Sequence, residues 1–367
     1  MGNVKLKSLE IFGFRIFRHL RLERLGMVNL VVGKNNVGKS CLLEALHLYA
    51  HRGLPWIIQE LLEGRDESST RMEEIDVGIV RHLFYGRQDF GKQPKAIQIG
   101  PIDSPDETLS VVTSWYEEQT SPDRIQRRWH KLTPEQLDEV ENPLPGIDIK
   151  LGTKQIVSYP LHLLLRRPLR PLVSPQQVED VRCVFIPANG LDEKQVSLLW
   201  DSIALTRLEE DVLHALHIIA PEVERLNLLG REQEGRRIPM AKVEGWDDPV
   251  PLRSLGEGLN RLFGIGLALV SAKDGLLLID EVESGLHYSV HTDLWRLIFQ
   301  VADRLNVLVF ATTHSWDCIK GFQKNTQEEE HRDGMLIRLE NRKGEIIPIL
   351  FDEHRLGIAT REDIEVR

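Results

Sequence analysis

LVVGKNNVGKSCLLEALHLYA, residues 30–50, joins an apolar run to an amphipathic one through a loop bounded by Gly33 and Gly38. Residues 33–40 read Gly-Lys-Asn-Asn-Val-Gly-Lys-Ser and meet every fixed position of the pattern G-x-x-x-x-G-K-[ST]. The preceding MVNLVV supplies a strand, and the spacing of Leu42, Leu43, Leu46 and Tyr49 predicts a helix that opens at the end of the loop. The first amides of such a helix lack intrahelical partners, so with the loop amides and the helix dipole they make a site for a nucleotide β-phosphate. Gly33 and Gly38 permit backbone angles and close approaches that a Cβ obstructs. Asn35, Asn36, Val37 and Cys41 complete the expected cofactor-binding set. Lys39 is expected to reach the β- and γ-phosphates of ATP, and the Ser40 hydroxyl to coordinate Mg²⁺.

Hydrolysis at a phosphate loop needs a carboxylate that holds the metal and a group that orients water. GLLLIDEVESGLHYSV, residues 275–290, offers both. Leu276 to Ile279 predict a buried strand; Asp280 at its end is placed to hold Mg²⁺, and Glu281 beside it to face an attacking water. Upstream, LRSLGEGLNRLFGIGLAL sets Ser254, Gly256, Glu257 and Gly258 at the start of an apolar helix. Downstream, NVLVFATTHSWDCI predicts a strand that ends at Thr312, Thr313 and His314.

The stretch around Ser254 resembles the signature motif of ATP-binding cassette (ABC) ATPases, usually written L-S-G-G-Q, with Leu255 for its first glycine and Glu257 for its glutamine. All four elements stand in that family's order. The chain is similar to the cassette-type ATPases related to recombination protein F, chromosome-maintenance (SMC) heads and the overcoming-lysogenization-defect (OLD) ATPases. The opening KLKSLEIFGFRIFRHL resembles the family's first two strands, with FRIFRHL where base and ribose are approached, and GKNNVGKS and DEVESGLHYSV resemble the OLD-like branch. The resemblance implies an α/β fold: a P-loop NTPase of ABC type, with a mixed sheet and flanking helices, a lateral antiparallel β arm and a short helical insertion. It implies that His314 contacts the γ-phosphate, and that Ser254, Gly256 and Glu257 bind nucleotide held by a second copy. A homodimer of heads, or a larger homo-oligomer, is thus expected.

The remaining sequence is read around that core. The chain has 367 residues, a formal charge of -10 and 41% hydrophobic residues, as in soluble globular proteins. No apolar run approaches the roughly 18 residues of a membrane span, and the opening lacks a secretory apolar segment, so a cytoplasmic protein without a membrane partner is expected. Cys41, Cys183 and Cys318 are scattered singly, without the close pairs of zinc sites, and read as buried thiols. The division expected is 1–53 for the first part of the ATPase lobe, 54–180 for a helical and β arm, 181–235 for a return strand and helical insertion, and 236–367 for the second part of the lobe. KAIQIG, TLSVVTSWYEE and GIDIKLGTKQIVSYPL alternate as antiparallel strands. Residues 195–229 carry apolar positions at spacings of three and four and predict helix throughout.

DRIQRRWHK and LLLRRPLRP, with Arg127, Arg128, Lys131, Arg166, Arg167 and Arg170, are capable of facing DNA, and Trp129 of stacking on a base. In an acidic chain they are read instead as solvated or protein-contacting segments. Full-length OLD proteins carry a Toprim nuclease domain after the ATPase. The 53 residues after His314 (367 minus 314) predict a helix, the strands GMLIRLE and IIPILF, and a tail, without an Asp-x-Asp cluster. The resemblance therefore implies a separate effector, a Toprim-type nuclease or a toxin, as in two-component anti-phage systems of the PARIS and Septu types.

Overall fold

The structure, a computed structural model, describes residues 6–67, 77–87, 90–120, 127–164, 181–231, 236–328 and 333–361. The chain opens with a hairpin, β1 (Leu9–Phe14) and β2 (Phe17–Leu22), followed by β3 (Val28–Val32), α1 (Lys39–Ala50) and α2 (Pro55–Glu63). Four longer strands and a short one come next: β4 (Ala96–Gly100), β5 (Leu109–Thr120), β6 (Arg127–Leu132), β7 (Leu144–Leu151) and β8 (Lys154–Pro160), then α3 (Leu161–Leu164). After β9 (Cys183–Ile186) come α4 (Glu193–Ile203), α5 (Arg207–His217), β10 (Val223–Arg231), β11 (Arg236–Val243) and β12 (Val250–Pro251). The last third holds α6 (Glu257–Ser271), β13 (Leu276–Ile279), α7 (His291–Leu305), β14 (Leu308–Thr312), α8 (Trp316–Glu328), β15 (Gly334–Arg342), β16 (Glu345–Phe351) and α9 (Glu353–Arg361).

The central sheet has the order β16-β15-β3-β14-β13-β9, parallel except for β16 at the edge. Its inner strands β3, β13 and β14 are buried at every position and apolar except at Asn29 and Thr312, because both faces of the sheet are covered, as parallel strands require. Val31, Leu278, Phe310 and Ile337 pack towards α1, while Leu30, Ile279, Ala311 and Leu336 join the opposite core with α6, α7 and α8. In that second core the Trp295 ring meets Phe322 edge-on at 4.9 Å, and its Nε1 donates to Cys318 O at 2.9 Å. The second sheet is antiparallel, in the order β2-β1-β4-β5-β7-β8 with β6 on β5. The expected lateral strands are all in it, and so is the opening hairpin, which the sequence reading grouped with the ATPase lobe.

Helix was expected through residue 229, but α5 ends at His217, and residues 223–229 pair with β11 as a strand. Pro221 has no amide to continue the helix. A register shift between Val223 and Arg225 then puts an extra residue into the strand. Val223, Leu226 and Leu228 all turn to the core, so the bulge imitates a helical interval of three. The expected boundary at 235 falls between β10 and β11, which are one hairpin. The end of the chain, expected as an irregular tail, forms α9 at residues 353–361.

Truncating Trp295 to alanine removes the largest fully buried side chain of the second core. Urea denaturation is expected to show a loss of about 3–5 kcal/mol, the usual range for a buried aromatic deletion.

Candidate functional site

The phosphate loop follows β3 as read from the sequence. Gly38 sits at φ 96° before the first turn of α1, and a Cβ there would lie 2.8 Å from Phe17 Cζ and from Ile16 Cγ2. Gly33 takes φ 142°, with Leu339 O 2.4 Å from where its Cβ would stand and Val37 beneath it. Asn36 is left-handed at φ 62°. Both glycines are thus required by the backbone and by close packing. The Lys39 ammonium donates to Gly33 O at 2.8 Å and to Lys34 O at 3.0 Å, spanning the loop from inside. Burial lowers its pKa from the ordinary lysine value, against the pull of Asp280, Glu281 and Glu283.

Asp280 ends β13 between two neighbours. Its Oδ2 accepts from the Ser40 hydroxyl at 3.0 Å, its Oδ1 from Thr312 Oγ1 at 2.6 Å, and its amide donates to Ile186 O at 2.8 Å. Glu281 adopts φ 47°, a conformation uncommon for a side-chain-bearing residue, and its amide donates to Thr312 Oγ1 at 2.8 Å. That turn carries its carboxylate off the strand direction. Glu283 Oε1 accepts from the amides of His314 (2.8 Å) and Ser315 (3.1 Å) and so fixes the histidine's backbone. Lys39, Ser40, Cys41, Asp280, Glu281 and His314 all line one cleft of about 700 Å³, with Asn35, Asn36 and Gly38.

The cleft also holds Arg15, which falls in the FRIFRHL stretch, and two arginines that sequence reasoning missed, Arg65 and Arg87. Arg15 stands in the turn of the β1–β2 hairpin at φ 48° and is buried, paired with Glu44 on α1 and with Glu67 at 2.8 Å. Arg65 donates to Glu44 Oε1 at 2.7 Å and to Cys41 Sγ at 3.2 Å. Burial raises the pKa of Glu44, with Arg15 and Arg65 opposing it, and burial likewise raises that of the Cys41 thiol. Phe14 pairs with Phe17, which leaves Arg15 and Ile16 as the two-residue turn.

Ser254, Gly256 and Glu257 are not part of this cleft. They sit exposed on a short 3₁₀ turn and the first turn of α6, and Gly256, at φ 124°, faces open space. Glu257 pairs with the neighbouring Arg253. Arg261, one turn further, reaches back towards Pro187 O (3.4 Å) and Glu281 O (3.5 Å) and ties α6 to the Asp280 strand. Of the basic stretches, Lys131 pairs with the buried Asp148 and Trp129 packs edge-on against His162 at 5.4 Å. The side chains of Arg127, Arg128, Arg166, Arg167 and Arg170 lie outside the described residues.

The donor set fits a nucleoside triphosphate with its divalent cation. A hydroxyl and a carboxylate 3.0 Å apart are hard oxygen ligands, and the glycine cradle leaves room for phosphate against backbone amides. Known proteins agree. Residues 192–319 match the AAA ATPase domain family (AAA_15). Over 348 residues, 89% of each chain, the sequence is 22% identical to an ATP/GTP phosphatase of Helicobacter pylori. A shorter segment of 43 residues, 12% of each chain, is 51% identical to the DNA replication and repair protein RecF of Thioalkalivibrio sulfidiphilus. Among solved structures, an SMC head bound to the C-winged helix domain of ScpA superposes with a TM-score of 0.52 at 12% identity, covering 94% of this chain and 97% of that one. An SMC head with an extended coiled coil, bound to the C-terminal domain of ScpA derived from Pyrococcus furiosus, gives 0.51 at 12% identity, with 98% and 99% covered.

Fold and site together define a P-loop NTPase of the ABC type. The protein is an ATPase, and its fold is similar to that of the SMC heads. Among the described residues no helix is long and apolar enough to cross a membrane.

Thr312→Val removes the hydroxyl shared by Asp280 and the Glu281 amide. Steady-state ATPase assays are expected to show roughly a tenfold fall in turnover, with about 1–3 kcal/mol lost in denaturant unfolding.

Proposed function

We propose that the protein is an ATP-driven switch in which two copies close head to tail over two nucleotides. The observation that carries this reading is the separation of its parts: Lys39, Ser40, Asp280, Glu281 and His314 share one cleft, while Ser254 and Gly256 present an exposed turn outside it. Such a turn, at the N-terminus of the long helix α6, is complementary to the γ-phosphate side of a second copy. Two SMC heads of the same fold carry partner domains, which supports a head that acts through another protein.

In this mechanism the loop amides and Lys39 bind the β- and γ-phosphates, and Lys39 exchanges its two loop carbonyls for phosphate oxygens. Ser40 and Asp280 are the residues that would hold Mg²⁺, which supplies charge neutralisation across the phosphates. Thr312 keeps the Asp280 carboxylate turned towards Ser40. Glu281 accepts a hydrogen bond from water and orients it for in-line attack, and His314 donates to the γ-phosphate. Ser254 and Gly256 of the second copy complete the donors around the same phosphate. Hydrolysis removes the shared ligand and separates the heads.

The work is delivered to a separate effector, a nuclease or toxin, through the lateral sheet or the helical pair α4 and α5, in an anti-phage role. The local likeness to RecF supports a second reading, a repair ATPase that closes on DNA. The full-length relative named as an ATP/GTP phosphatase leaves ATP as the preferred nucleotide and GTP as its competitor.

Lys39→Ala is expected to abolish nucleotide binding in a fluorescent-ATP titration. Glu281→Gln should bind ATP but hydrolyse it at least about a hundredfold more slowly, and run as a dimer by light scattering only with ATP. A monomer under those conditions overturns the head-to-tail switch. Co-purification with the product of an adjacent gene supports the effector reading, whereas ATPase stimulation by duplex DNA moves the choice to repair.

A further inference from the structure

We propose that His47, His51 and Cys183 form a Zn²⁺ site at the rear of the phosphate-loop helix. One ligand atom from each lies within 4.8 Å of the others. His47 in the last turn of α1 and His51, its C-cap residue, stand four residues apart and so bring their imidazoles to one side of the helix end, with ring centroids 4.9 Å apart. Cys183 opens β9, and alternation along that strand turns Cys183 and Phe185 together towards the α1 side while Val184 and Ile186 face the other core. The site is therefore made by tertiary packing between residues 132 or more positions apart in sequence, since 183 minus 51 is 132.

The surroundings hold the rings in place. His47 stacks on Phe185 with centroids 5.4 Å apart and an interplanar angle of 25°, and His51 meets Trp56 edge-on at 4.6 Å. Glu60 on α2 is close enough to His51 to interact electrostatically, the type of outer partner that orients a metal-bound imidazole.

Two imidazoles and one thiolate suit a borderline-soft, tetrahedral ion, and Zn²⁺ is the common one. Ligand atoms around tetrahedral zinc stand roughly 3.3–3.8 Å apart, given Zn–N of about 2.0 Å and Zn–S of about 2.3 Å. A small rotation of the side chains closes the set. Binding forms a Zn–S bond and releases the Cys183 thiol proton to solvent. A water molecule would complete the tetrahedron as the fourth ligand. His47 lies eight residues beyond Lys39, about 12 Å along the helix axis, so the ion would clip the far end of α1 to β9 rather than touch nucleotide.

The test uses the full chain without nucleotide, stripped by chelator and reloaded. Elemental analysis after gel filtration is expected to give about one Zn²⁺ per chain. With Co²⁺ as the probe, a thiolate-to-metal charge-transfer band and intense tetrahedral d–d bands are expected. Cys183→Ser should lose the charge-transfer band, Cys318→Ser should keep it, and His51→Gln should weaken Zn²⁺ binding more than tenfold while its circular dichroism stays that of the parent. Zn²⁺ should also raise the melting temperature of the parent and not that of Cys183→Ser. No zinc retained by the parent, or a thiolate band that survives Cys183→Ser, overturns the site.

Discussion

The Asp280 carboxylate is the point on which the cleft depends. One oxygen accepts from Ser40 on α1, the other from Thr312 on β14, and the residue's own amide is held by Ile186 on β9. Three parallel strands and one helix thus have to end at one level for these bonds to form. The register provides it: Ile279 aligns with Ala311 on one side and with Ile186 on the other. The strands are buried on both faces, so a slip by one residue would exchange the two cores as well as break the site. Packing and chemistry are enforced by the same alignment.

Beyond Asp280 the site is assembled mostly by backbone. Glu281 is turned by its left-handed φ and by the Thr312 hydroxyl, and His314 is positioned by amides held on Glu283. Thr312 serves both neighbours at once, accepting from the Glu281 amide and donating to Asp280. Arg261 then links α6 to the Glu281 carbonyl. A shift of α6 is thereby felt at Glu281 without passing through the core of the sheet.

What the sequence disclosed follows from how local each feature is. The phosphate loop is contiguous, and its two glycines carry conformations that the spacing alone demands, so residues 33–40 were legible with their context of strand and helix. Asp280 and His314 were legible because each ends an apolar run that could only be a buried strand. The strand β10 was not, because its bulge moves Leu226 and Leu228 onto the same side as Val223 and the apolar spacing becomes helical. Arg65 and Arg87 carry no motif and reach the cleft through the fold, from beyond α2 and beyond residues 77–83, whereas Arg15 stands in the first hairpin's turn. Cys183 looked isolated for the same reason: its neighbours His47 and His51 are far away along the chain.

The buried Arg15 has a mechanical meaning. It belongs to the turn of the first hairpin, yet its guanidinium is bound to Glu44 of α1, to Glu67 and to the Leu61 carbonyl. The hairpin is in turn hydrogen-bonded to β4 and, through it, to every strand out to β8. Through one buried guanidinium the antiparallel sheet is therefore fastened to the helix that begins at the glycine loop, so the sheet and the phosphate site share a common anchor.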